Sequence, residues 1–218
     1  KPTVGLVSRT GIIPISFTQD TAGPMARTVE DAALCLGVLA GVDPDDAKTL
    51  AAEGRLHADY TQFLRAGGLK GKRIGLMKNL MGYHYRVDAL TEQAVAFLKS
   101  QGAVVVEVEG PKEGPIENDS FTVMLYEFKD GLNKYFAGLG EGAPVKNLAE
   151  LIEFNRQDPV ELRWFDQKLL EQAQEKGGLE AAEYAKALEA MRKAARDEGI
   201  ARLLDEHKLD ALMAPTGA

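Results

Sequence analysis

Serine catalysis needs a hydroxyl whose proton a neighbouring base can take, so Ser8, Ser16, Ser100 and Ser120, the four serines of the chain, are weighed first. None stands in a Gly-x-Ser-x-Gly elbow. Ser100 reads as the end of a helix and Ser120 follows a polar loop. Ser8 and Ser16 fall in an N-terminal stretch rich in Gly, Thr, Ile and Val. All four read as turn and cap hydroxyls. His57, His84 and His207 are too far apart in sequence to place a pair on one helix face at metal-ligand spacing, so no metal is expected. Cys35 is the only cysteine, which excludes an intrachain disulfide and a cysteine-based metal site. The C-terminal Glu and Asp residues alternate with Lys and Arg, as in Glu183-Tyr184-Ala185-Lys186, and read as a solvated helix face. Gly67, Gly68, Gly71 and Gly75 flank an apolar run without the strand-then-helix order of a dinucleotide fingerprint, and no cofactor is implied.

The elements that would position these residues are read from periodicity. Val4–Val7 and Ile12–Ile15 are expected to be short extended segments around Gly11. Thr18 to Pro24 is a turn-rich connector. Thr28, with Asp31 three residues on, opens a helix whose apolar Val29, Ala32, Ala33, Leu36 and Leu39 recur at helical spacing up to Gly41. Residues 47–71 read as loop with short helix. Lys72–Met77 and Val104–Val108 read as strands joined by an amphipathic Asp88–Gln101 helix, with Gly102 as its stop. A right-handed crossover makes such strands parallel neighbours. Helices are expected at Phe121–Phe136, Leu148–Phe154, Val160–Gln174 and Glu180–Glu206, the last interrupted near Gly199. Leu209–Met213 is a terminal apolar run entering a sheet. The class is α/β.

Composition sets the outer bounds. The chain has 218 residues, enough for a sizeable core, with 45% hydrophobic and 27% charged residues. A net charge of −7 does not suit a polyanion, which argues against nucleic acid as a partner. A lone thiol suits a reducing compartment, so the cytoplasm is favoured.

Several long strings then carry a resemblance. Lys1-Pro2-Thr3-Val4-Gly5-Leu6-Val7-Ser8-Arg9-Thr10-Gly11, continuing through Ile12 to Ser16 and Gln19-Asp20-Thr21-Ala22-Gly23-Pro24-Met25-Ala26-Arg27-Thr28-Val29-Glu30-Asp31-Ala32-Ala33, is very similar to the segment that follows the active site in amidase-signature enzymes. Tyr126-Glu127-Phe128-Lys129-Asp130-Gly131-Leu132-Asn133, Phe154-Asn155 with Glu161-Leu162, and Leu209-Asp210-Ala211-Leu212-Met213-Ala214-Pro215-Thr216 resemble the same family, nearest its bacterial peptide-amidase-like branch.

The resemblance implies an α/β fold with a mixed sheet core, helices on both faces and a helix-rich C-terminal half. Residues 1–218 would be an internal portion of a single amidase domain, with a βαβ unit at about 72–108 and a helical region at about 121–206. Members of the family cleave amides with a Ser–cis-Ser–Lys triad that lies N-terminal to the motif at Lys1. No catalytic residue is therefore assigned here, and the chain alone is expected to be inactive. Substrate-binding roles of a supporting kind fall to Asp20, which precedes a turn built by Gly23 and Pro24 and whose carboxylate would cap backbone amides that shape the pocket wall, to Gly23 itself, and to Tyr126, on a helix that looks substrate-facing in this branch. A purely structural turn and a core tyrosine are the alternatives. The implied partners are a small amide or peptide amide and the missing N- and C-terminal segments of the same protein, with self-association through the exposed surface as the other route to burial. The alternative functions are one component of a glutamine-dependent amidotransferase and a non-catalytic scaffold or binding module.

Overall fold

The computed structural model describes residues 1–111, 113–158 and 160–216. In chain order the elements are α1 (Val29–Leu39), β1 (Arg73–Met77), α2 (Tyr85–Ser100), β2 (Val104–Val108), α3 (Glu113–Gly138), α4 (Leu148–Gln157), α5 (Glu161–Trp164), α6 (Lys168–Gln174), α7 (Ala182–Arg192), α8 (Ala201–Glu206) and β3 (Ala211–Met213), with short 3-10 turns at Ala47–Ala52, Thr61–Phe63 and Lys78–Leu80. The chain forms two compact units, residues 1–64 with 121–185 and residues 65–120 with 186–216. No helix among the described residues is long and apolar enough to cross a membrane.

The second unit is the expected α/β element. β1 is central in a three-stranded sheet of order β2-β1-β3, and both pairings are parallel. Its burial in mid-strand, with Ile74 and Leu76 buried, suits a parallel sheet, whose strands are covered rather than half wet. Gly75 stands at the middle of β1 because no side chain fits there. A Cβ would lie 2.5 Å from Leu209 Cδ1 and 2.8 Å from Leu212 Cδ2. Asp210 locks β3 to β1, accepting from the Arg73 amide at 2.8 Å and from Lys72 Nζ at 2.7 Å. The α2 helix begins three residues before the expected Asp88, because His84 caps it by accepting from the Arg86 amide at 3.2 Å. Gly102 follows it with φ +86°, a left-handed conformation that glycine adopts without strain.

The first unit is helical, around a core of Leu125, Leu132, Leu148, Ile152 and Ala173 contributed by α3, α4 and α6. The α1 helix is capped as read: Thr28 Oγ1 accepts from the Asp31 amide at 3.0 Å. Three sequence expectations fail. Val4–Val7 and Ile12–Ile15 are not strands. Val4 and Gly5 form a turn, and Val7 makes only an isolated antiparallel bridge with Ala40. The stretch expected as one helix from Val160 to Gln174 is broken, because Gln167 turns its amide inward to donate to the Ile152 carbonyl at 3.2 Å and Phe165 is extended. The α3 helix starts eight residues before Phe121, with Gly114 and Pro115 in its first turn, where a missing proline N–H has no helical partner to lose.

Candidate functional site

The irregular segment from Ser8 to Asp20, in the first unit, is held by side chains. It has no ladder of its own, so its backbone polar groups must be satisfied otherwise. Asp20 does this from within. Its Oδ2 accepts from the amides of Ile15 and Ser16 at 2.9 and 2.8 Å. Arg9 does it from the other end, donating through Nη1 to the Phe17 carbonyl at 2.5 Å. The rest of the Arg9 fork meets Asp46: Nε to Oδ2 at 2.8 Å and Nη2 to Oδ1 at 2.7 Å, with the Arg9 amide on Oδ2 at 3.1 Å. This bidentate pairing, with the side chain of Asp46 only 8% exposed, holds the Asp46 carboxyl down at about 2 and raises the Arg9 guanidinium above its usual range.

The third anchor is Glu127, on α3, which is fully buried. Its Oε2 accepts from Ser16 Oγ at 2.6 Å and from the amide and hydroxyl of Thr18, both at 3.0 Å. Its Oε1 accepts from the Tyr184 hydroxyl, on α7, at 2.8 Å. These four donors are neutral groups. A buried carboxylate held this way needs every one of them, because each stands in for water. Pro14 rests against α3 at Gly131, where a Cβ would come within 3.0 Å of the proline ring. Ile12, Ile13 and Ile15 are left on the surface. The result is a preorganised loop with an apolar outer row. Beside it lies a shallow recess of about 200 Å³ lined by Arg9, Thr10, Ile12, Pro14, Phe17, Asp20, Asp45 and Asp46.

The expected site residues are not gathered at one point. Asp20 lines this recess and caps backbone amides, as its type suggested. Gly23 lies against Pro2, whose Cδ would be 2.4 Å from a Cβ on the glycine. Tyr126 is 4% exposed, and its hydroxyl donates to Glu183 Oε2 at 2.5 Å. That bond and the neighbouring Lys176 ammonium lower the Glu183 carboxyl and, from the other side, the tyrosine is raised. Glu127, Thr18, Tyr184, Arg9 and Asp46 were not singled out by sequence, and Ser16 was weighed only as a nucleophile and read as a turn or cap hydroxyl. The one local signal was Glu127 inside an otherwise apolar helical stretch, Val123 to Phe128.

Ser8, Ser16 and Ser100 are in settings unsuited to activation. Ser16 is 2% exposed, out of reach of a substrate carbonyl. Ser8 Oγ donates to Asp43 Oδ2 at 2.5 Å, and that bond holds the Asp43 carboxyl below its usual range, which makes it a poor proton acceptor. Ser100 Oγ donates to the Phe97 carbonyl within α2. His57 packs edge-on against Tyr60 and Phe63, and His84 caps α2. Among the described residues no group of three or more His, Cys, Asp or Glu is arranged to hold a metal ion. The arrangement can position and shape; a nucleophile with its base is not formed by Ser8, Ser16 or Ser100.

Likeness to known proteins decides the family. The amidase family profile matches residues 1–218. The chain belongs to the amidase signature family. The crystal structure of native peptide amidase from Stenotrophomonas maltophilia is 49% identical to this amidase chain and superposes with a TM-score of 0.93, covering 100% of it and 45% of the peptide amidase. A probable amidase of Arabidopsis thaliana is 34% identical over 221 residues, covering 98% of this chain and 41% of its own length. A glutamyl-tRNA(Gln) amidotransferase component of Neisseria meningitidis serogroup C is 43% identical over 114 residues, 51% of this chain and 23% of that protein. The amidase chain thus spans less than half the length of the relatives it matches.

Proposed function

We propose that the chain is part of an amide hydrolase of the peptide-amidase type, acting on the carbon–nitrogen bond of a small amide or peptide amide. The observation that carries this reading is the likeness to the peptide amidase over the whole chain. The catalytic Ser, cis-Ser and Lys lie outside residues 1–218 in this reading, and the chain alone does not turn over substrate. The carboxylate and carbonyl partners of Ser8, Ser16 and Ser100 support that. The contribution of the chain is a rigid wall for the reacting centre. Asp20 holds the loop at Ile15 and Ser16, Gly23 leaves room for Pro2 against it, and Tyr126 sets Glu183 beside Lys176. Residues 1–218 act as one portion of a single amidase domain. A preformed loop of this kind lowers the ordering cost of binding, which is how residues far from the bond being broken affect rate.

The test compares the purified 218-residue chain with the complete polypeptide encoded by its gene, on C-terminally amidated dipeptides and on glutamine. Turnover of the peptide amides is expected from the complete polypeptide alone. Turnover by the 218-residue chain that disappears in Ser8→Ala or Ser16→Ala would place the catalytic centre inside it and overturn the reading. The likeness to the amidotransferase component favours a second reading, ammonia release from glutamine. It predicts glutamine hydrolysis that rises when partner proteins are added, with no activity on peptide amides.

A further inference from the structure

From the exposed face of α1 we infer an interaction surface whose occupant is the portion of the amidase fold that these 218 residues do not span. The inference rests on the reading that the chain is part of a longer amidase, and it names where the two portions meet. From Ala32 to Val42 the sequence carries no charged residue. Glu30 and Asp31 lie in the first turn of α1, and from Ala32 onward the helix is apolar on all sides, a surface that is ordinarily covered. Yet α1 has no buried residue. One side is seated: Gly37 approaches the chain at Ala58, whose carbonyl would be 2.6 Å from a Cβ on the glycine. The opposite side is open. Leu34 is 55% and Val38 86% exposed, and Cys35 is exposed between them.

Three observations choose the occupant. The peptide amidase that superposes on the entire chain has more than half its length outside the match, so chain sufficient to cover the helix exists in the relative. The stretch is far too short for a membrane span, which takes about 20 apolar residues. A net charge of −7 disfavours a second copy pressed against the same face. The neighbouring loop in the same unit repeats the pattern, with Ile13 59% and Ile15 52% exposed.

The experiment uses the complete polypeptide. Val38→benzoylphenylalanine is irradiated and the crosslinks are mapped by mass spectrometry, and Cys35 of the unsubstituted protein is modified with an uncharged maleimide before and after denaturation. Crosslinks to residues outside 1–218 are expected, with Cys35 modified on the order of a hundredfold more slowly in the native protein. Crosslinks within residues 1–218, crosslinked dimers, no crosslink at all, or Cys35 reacting at the denatured rate would each overturn the inference. Should the substituted protein not fold, the Cys35 rate decides alone, and a protected Cys35 whose rate varies with protein concentration overturns it in favour of a second copy. Amide hydrolysis measured on the same preparation separates the two readings: an active protein with a reactive Cys35 loses only the surface, and an inactive protein with the expected crosslinks loses only the activity.

Discussion

Ser16 and Glu127 lie 111 positions apart in the chain and share a 2.6 Å hydrogen bond in a place almost sealed from solvent. That bond joins the irregular N-terminal segment to α3, and the Tyr184 hydroxyl on the other carboxylate oxygen extends it to α7. Three segments distant in sequence are thereby tied to one carboxyl group.

Removing that carboxyl group leaves four donors without their acceptor. Glu127→Ala should lower unfolding free energy by about 3–5 kcal/mol, combining a cavity with orphaned donors. Tyr184→Phe removes a single donor and should cost about 1 kcal/mol. Urea denaturation followed by circular dichroism measures both. Equal effects from the two substitutions would mean that Glu127 does not serve as the common acceptor.

Asp46 gives a pH dependence with a definite sign. Its carboxyl ionises at about 2 in the folded chain, below its ordinary 3.8, chiefly through the Arg9 hydrogen bonds. A depressed carboxyl contributes stability that is fully present above the unfolded value and fades as pH falls through the folded one. The contribution, on the order of 2 kcal/mol, should therefore disappear between about pH 4 and pH 2. Asp46→Asn abolishes it. The stability gap between the unsubstituted protein and Asp46→Asn should be constant from about pH 7 to pH 5 and narrow below about pH 4; a gap unchanged down to about pH 2 contradicts the pairing.

Gly75→Val should test the packing of the parallel sheet. The new side chain would meet Leu209 and Leu212 in the strand's own layer. Overpacking of this kind costs about 1–3 kcal/mol, and a melting temperature equal to that of the unsubstituted protein would show that the leucines can move aside.

Asp20→Ala, made in the complete polypeptide, bears on the loop as a wall of the substrate site. Losing the acceptor for the Ile15 and Ser16 amides should raise KM for a peptide amide several-fold, with kcat reduced less, because the loop must then be ordered on binding. An unchanged KM would make Asp20 a turn residue without influence on substrate.

Much of this was written in local sequence. The cap at Thr28, the strand–helix–strand order, the parallel pairing of Arg73–Met77 with Val104–Val108 and the kink near Gly199 all follow from short-range spacing, since capping, periodicity and crossover handedness act over a few residues. The family, too, was legible in contiguous strings running from Lys1. What sequence did not reveal was how the N-terminal segment is held. Val4–Val7 and Ile12–Ile15 have the β-branched residues of strands, but a strand needs a partner edge, and propensity yields to what the surroundings supply. Here they supply carboxylates: Asp46 from a loop, Glu127 from a helix, and Asp20 folding back on its own segment. Gln167 broke a helix for the same reason, its amide finding the Ile152 carbonyl across the core. A buried polar group takes whichever partner the fold brings within about 3 Å, and that choice exists only once the chain is folded.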